Sequence, residues 1–135
     1  MKKSIILLAL VAMTAINTTV NAQVGLTPKA KIGIVIYSND EETMWNALRL
    51  ANFAKENGNE VNVFLLGKGV ELDKLVKTNE NLAEQTQQFL DAGGNIMGCG
   101  TCLASRKNNE PQYCKFSSMD DLYQLIMKSD KVLTF

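Results

Sequence analysis

The sequence predicts an α/β protein, a three-layer sandwich on a mainly parallel sheet of the flavodoxin- or Rossmann-like kind. Three observations predict it. Short apolar runs of strand type alternate with segments whose apolar residues recur at helical spacing. The first strand runs are apolar almost throughout, as expected for strands covered on both faces. Capping residues and glycines punctuate the junctions. Strands that take turns with helices connect through right-handed crossovers, which cover both faces of one sheet.

The elements follow in order. Lys31–Tyr37 carries Ile32, Ile34, Val35 and Ile36 and reads as a buried strand. Ser38-Asn39-Asp40-Glu41-Glu42 starts a helix, with capping side chains ahead of first-turn acids. Met44, Ala47, Leu48, Ala51 and Ala54 continue that helix, and Gly58 stops it. Val61–Leu66 is a second strand, and Gly67-Lys68-Gly69 is the turn at its end. Leu72, Leu75 and Val76 mark a short helix, and Leu82, Thr86, Phe89 and Leu90 line one face of the next. Asp91-Ala92-Gly93-Gly94 ends it, because glycine accepts the left-handed position after a helix. Asn95–Gly98 is a short strand, and Thr101–Ser105 has the small-residue character of a first helical turn. Ser117-Ser118 caps a helix through Met119, Leu122, Leu125 and Ile126, and Val132–Phe135 closes the chain as a strand.

The N-terminus of the 135-residue chain reads as a targeting segment. Lys2 and Lys3 precede a mostly apolar stretch from Ile5 to Ile16, and Val20-Asn21-Ala22 fits a small-residue cleavage site. The expected product begins at Gln23, with a short linker over residues 23–30 and one domain over 31–135. The apolar stretch is short for a membrane span, so no stable span is expected after removal of residues 1–22. The expected location is the periplasm or the exterior, where cysteines meet oxidising conditions. Loss of Lys2 and Lys3 leaves twelve basic residues against fourteen acidic ones. That near-neutral balance, without a basic run, argues against nucleic acid and anionic membrane as partners.

No histidine is present, and the only cysteines are Cys99, Cys102 and Cys114. The absence of histidine excludes the Ser-His-Asp triad, the Cys-His pair and histidine metal sites. The glycine pattern for dinucleotides and the P-loop are also missing, and no cofactor is expected. A zinc site needs four ligands, and three sulfurs do not complete one within a single chain. A subunit-bridging or copper(I) thiolate site stays open. What remains is sulfur chemistry.

Cys99 stands at a strand end before a helix start, the end of an α/β sheet where ligands bind. Unpaired N–H groups there favour a thiolate or a persulfide, which makes Cys99 the expected reactive sulfur. Cys102 completes a Cys-x-x-Cys pair that resolves a persulfide, exchanges disulfides, or packs as a small apolar group. Arg106 lies seven residues after Cys99 and four after Cys102, on one helical face with both if the helix is unbroken. A fixed positive charge there would stabilise a thiolate or an anionic donor. Cys114 and Lys68 are accessory candidates. Cys114 pairs with either cysteine or is buried, and Lys68 is a turn residue at the same sheet end. Trp45 and Phe53 read as packing or interface groups, and Asp120 and Asp121 as helix-start acids.

Gly93-Gly94, Cys99-Gly100-Thr101-Cys102, Arg106, Cys114 and the closing segment from Asp121 to Phe135 together carry a resemblance. So do the opening Ile34–Ser38 and the Phe64–Val70 turn. On these residues the chain resembles the DsrE/DsrF-like family of small sulfur-relay proteins, over about Lys31 to Phe135. The resemblance implies a DsrEFH-like α/β fold, oligomers of like or related subunits, and a cysteine that carries sulfur as a persulfide. By position that cysteine falls on Cys99. Many members have glycine after the arginine matched by Arg106, and here that residue is Lys107. The expected function is an exported sulfur carrier or sulfurtransferase-like protein, with a sulfur donor and acceptor as partners and a homo-oligomeric state. Two alternatives stand beside it: a thiol-disulfide oxidoreductase using Cys99 and Cys102, and an oligomeric binding module whose cysteines are structural.

Overall fold

The computed structural model describes residues 29–135. The expected targeting segment and most of the linker lie outside the described residues. The strands are β1 (Lys31–Ile36), β2 (Glu60–Leu65), β3 (Asn95–Cys99), β4 (Lys115–Ser117) and β5 (Lys131–Thr134). The helices are α1 (Glu41–Glu56), α2 (Leu72–Leu75), α3 (Glu80–Asp91), α4 (Gly100–Ser105) and α5 (Met119–Lys128), with a 3-10 turn over Gly67–Glu71. They form one five-stranded sheet in the order β4-β3-β2-β1-β5. Every pairing in it is parallel, so the expected mainly parallel sheet is parallel throughout.

Both helical layers follow from this order. The chain steps from β1 to β4 in one direction and then returns across the sheet to β5. Right-handed crossovers of opposite direction place α1 and α3 on one face and α5 on the other. Gly33 lies beneath α5: a Cβ there would meet Leu125 Cδ2 at 2.4 Å. By strand alternation Val35 shares that face, with its register neighbours Phe64 and Met97. Ile34, Ile36, Val63, Leu65 and Ile96 point the other way, toward α1 and α3, and all are buried.

Local chemistry sets the helix ends. Asp40 caps α1 by accepting from the Thr43 N–H at 2.8 Å, and Asn79 caps α3 by accepting from Leu82 N–H at 2.9 Å. Ser118 and Asp121 form a reciprocal capping box at α5. At the other end of α1, Gly58 takes φ 82° while Asn59 N–H reaches back to the Ala54 carbonyl. Gly93 takes φ 72° after α3, and Gly94 N–H reaches the Phe89 carbonyl. Both are left-handed closures that occupy otherwise orphaned carbonyls.

β4 is the one strand that the sequence did not disclose. It has three residues, stands at the sheet edge and is largely exposed, so no apolar run marks it. Among the described residues, no helix is long and apolar enough to cross a membrane.

Candidate functional site

The three cysteines stand around the carboxyl end of β3, where the strand passes directly into α4. Cys99 is both the last residue of β3 and the N-cap of α4. Glycines flank it because the surroundings leave no room for side chains. A Cβ on Gly98 would come within 2.7 Å of Cys114 Sγ, and one on Gly100 within 2.2 Å of the Phe116 ring. The close approach of β4 and its preceding loop thus requires glycine on both sides of Cys99.

All three cysteines are free thiols. Cys99 is buried at 5 % exposure, whereas Cys102 is half-buried. Cys102 stands in the first turn of the helix that Cys99 caps, so the Cys-x-x-Cys spacing sets the two side chains close enough for Cys102 to influence the Cys99 titration. Burial pushes the Cys99 thiol up, and the Cys102 side chain favours the proton on Cys99 and adds charge repulsion. The backbone N–H groups of Cys102 and Thr101 act in the opposite direction. Cys99 makes no full capping hydrogen bond, and burial prevails. The expectation of a lowered Cys99 pKa is therefore corrected: the N–H groups favour its anion, but desolvation and the neighbouring sulfur outweigh them.

Cys114 stands apart. Gly98 faces it, and strand alternation turns Cys99 to the opposite face of β3. Burial, with the Asp73 carboxylate nearby, pushes the Cys114 thiol up to about 12. It packs against the core rather than joining the Cys99–Cys102 pair.

Arg106 is the C-cap of α4, and its guanidinium is already engaged. Its Nε donates to Glu71 Oε1 at 2.9 Å, and its Nη1 donates to the Cys102 carbonyl at 3.2 Å. The expected electrostatic support of Cys99 is not the role this geometry gives it. Arg106 is absent from the interactions that set the Cys99 titration, and its charge is paired with Glu71. It fastens the end of α4 instead. Lys68 is exposed in the turn after β2, at the same end of the sheet, and makes no hydrogen bond to the cysteines.

Two acids that sequence reasoning passed over organise this end of the molecule. Glu71 accepts from Asn39 Nδ2 at 3.2 Å as well as from Arg106, tying the loop after β1 to the end of α4. Both partners hold its carboxyl below the usual range, Arg106 most strongly. Asp73 accepts from Asn108 Nδ2 and from the Gln112 and Tyr113 N–H groups, pinning the loop between α4 and β4. In sequence they look like ordinary acids around a short helix; only their partners more than thirty residues away distinguish them. With Val70, Lys74, Arg106 and Asn108 they line a cavity of about 310 Å³. Among the described residues, no cluster of three or more Cys, Asp or Glu side chains converges as a metal site.

The sequence and the fold have counterparts among known proteins. Residues 30–135 match the profile of the DsrE/DsrF-like family. An uncharacterized protein of Methanopyrus kandleri is 31 % identical over 101 residues, covering 70 % of this chain and 84 % of its own. An uncharacterized protein of Methanocaldococcus jannaschii is 33 % identical over 101 residues, covering 70 % and 89 %. The crystal structure of the ychN protein from E. coli superposes with a TM-score of 0.67 at 19 % identity, covering 79 % of this chain and 99 % of that one. A conserved protein of unknown function from Bacteroides thetaiotaomicron superposes at 0.60 with 20 % identity, covering 78 % and 95 %. The two structures share the fold, and the profile match spans the whole described domain: this chain belongs to the DsrE/DsrF-like family.

Proposed function

We propose that this protein is an exported sulfur carrier that accepts sulfane sulfur as a persulfide on Cys99 and passes it to an acceptor. Family membership supports the general kind, a sulfur-relay role. The observation that carries the finer reading is the placement of Cys99 at the carboxyl end of β3 as the N-cap of α4, with Cys102 in the first turn of that helix. A persulfide carrier needs a sulfur held beside groups that stabilise an added sulfur anion, and the Thr101 and Cys102 N–H groups supply that.

The resting state is the protonated thiol, so loading requires deprotonation of Cys99 as the donor approaches. The acceptor step is transfer of the terminal sulfur to an incoming thiolate, which returns Cys99 to its thiolate. The reading includes a homo-oligomer. Met119, Tyr123, Ile126 and Met127 of α5 and Val132 and Leu133 of β5 are exposed apolar side chains at a sheet edge, and a second copy would cover them. It also includes removal of residues 1–22 on export, which the mass of the protein recovered from its native host would test.

The function is tested by mass. The reduced protein is exposed to polysulfide, and the intact mass is read for wild type, Cys102→Ser and Cys99→Ser. Sulfur held on Cys99 in Cys102→Ser and absent from Cys99→Ser supports the carrier. The same placement of the two cysteines favours a second reading, a thiol-disulfide oxidoreductase. That protein would lose two hydrogens, and its Cys102→Ser variant would hold no sulfur.

A further inference from the structure

The two sulfurs differ in a way that bears on how the bound sulfur leaves. Cys99 is buried, with Gly98 beneath Cys114 and Gly100 beneath Phe116 on either side of it. Cys102 lies one helical turn on, half-exposed, in the first turn of the helix that Cys99 caps. A sulfur atom added to Cys99 turns the Cys99 Sγ into the inner sulfur of an S–S bond. Its nearest nucleophile is then the Cys102 sulfur. Cys114 is excluded from that role because it packs on the other side of β3.

We infer that Cys102 discharges the Cys99 persulfide as sulfide, leaving a Cys99–Cys102 disulfide. This rests on the carrier reading and extends it: the protein both holds sulfane sulfur and reduces it. The Cys102 thiolate attacks the inner sulfur of Cys99-S-SH. A bond forms between the two cysteine sulfurs, and the bond to the terminal sulfur breaks. The terminal sulfur takes that electron pair and leaves as hydrosulfide, carrying the persulfide proton. The proton lost from the Cys102 thiol passes to solvent. The two cysteines are together oxidised by two electrons, and the sulfane sulfur is reduced by two. A separate exchange with an external dithiol resets the pair. An acceptor thiol that reaches the terminal sulfur first diverts the chain to transfer, so the two outcomes compete for one intermediate.

The step calls for little rearrangement. A disulfide needs its two Cβ atoms about 3.5–4.5 Å apart, and a helix N-cap and the residue three positions on face each other across the first turn. Both residues lie on one short strand-helix junction, so closing the bond constrains only four residues of chain.

The test follows one sulfur atom in reduced protein loaded with inorganic polysulfide and freed of excess reagent without oxygen. Free sulfide and intact mass are then followed together. Wild type is expected to release one sulfide per chain and end two hydrogens lighter than the dithiol, with Cys99 and Cys102 bridged. Cys102→Ser and Cys102→Ala are expected to keep the added sulfur and release none. Cys114→Ser is expected to behave as wild type. Wild type that keeps its sulfur as stably as the Cys102 variants would overturn the inference while leaving the carrier intact. Failure of wild type and both Cys102 variants to gain sulfur would instead remove the carrier reading on which it rests.

Discussion

Cys102 stands beside Cys99 in the first turn of α4, and its presence favours the protonated form of Cys99. The pair therefore divides its labour. Cys99 is the shielded sulfur that resists ionisation, and Cys102 is the outer sulfur beside it. Alkylation should report this directly. Cys99 modification by iodoacetamide should be slow at neutral pH and rise only above the usual thiol range. In Cys102→Ser the charge repulsion is lost and the hydroxyl can donate to a Cys99 thiolate, so the profile should shift to lower pH. Cys114, pushed up to about 12, should react last in the folded protein. An unchanged Cys99 profile in Cys102→Ser would separate the two sulfurs energetically.

Lys107 takes φ 57° directly after α4, the one non-glycine residue with positive φ among the described residues. Its N–H bonds the Ala104 carbonyl, and Asn108 N–H bonds Leu103, the same closure that glycine makes after α1 and α3. Left-handed geometry costs an ordinary L-residue about 1–2 kcal/mol, part of which glycine forfeits in unfolded-chain entropy. Lys107→Gly should therefore stabilise the fold by about 0.5–1 kcal/mol in urea titration. A destabilised variant would contradict this account of the turn.

The same position shows what the sequence disclosed and what it did not. Substitution of Lys107 for the glycine common at that point was visible as an oddity, but not that the chain keeps the glycine conformation. Strands β1 and β2 and helices α1 and α3 were legible because burial on one or both faces imposes a period. The junction at Cys99 was legible from Gly93-Gly94 and the apolar run after them. The net direction of the Cys99 titration was not, because burial is a property of the whole packing around it. Glu71 and Asp73 escaped for a related reason. Nothing local separates an acid that receives a distant partner from one that faces solvent.

The Glu71–Arg106 pair predicts a small effect with a defined pH dependence. Both side chains are partly exposed, so Glu71→Gln should cost at most about 1 kcal/mol. The Glu71 carboxyl is held below its usual range by Arg106 and Asn39. Its contribution is fully present above the ordinary carboxylate pKa and is lost as pH falls through the depressed value. The stability gap between wild type and Glu71→Gln should hence be widest near neutrality and close in acid. A gap that widens on acidification would exclude this pair as its source.

Gly69 lies in the turn after β2, where a Cβ would fall 2.1 Å from the Ile36 carbonyl oxygen. Because the obstacle is backbone, no rotamer change relieves it. Gly69→Ala should destabilise the domain by about 2 kcal/mol or more, measured by thermal or urea unfolding. A neutral substitution would mean that the turn and the end of β1 are not packed together as described.

The central claim is that Cys99 holds sulfane sulfur. Its most direct measurement is the intact mass of reduced wild type, Cys102→Ser and Cys99→Ser after one exposure to polysulfide. The account predicts that Cys102→Ser gains a sulfur atom located on Cys99 by peptide mass, and that Cys99→Ser gains none at residue 99 or 102. Sulfur found on Cys102 or Cys114 instead, or on no cysteine in any of the three proteins, would contradict it.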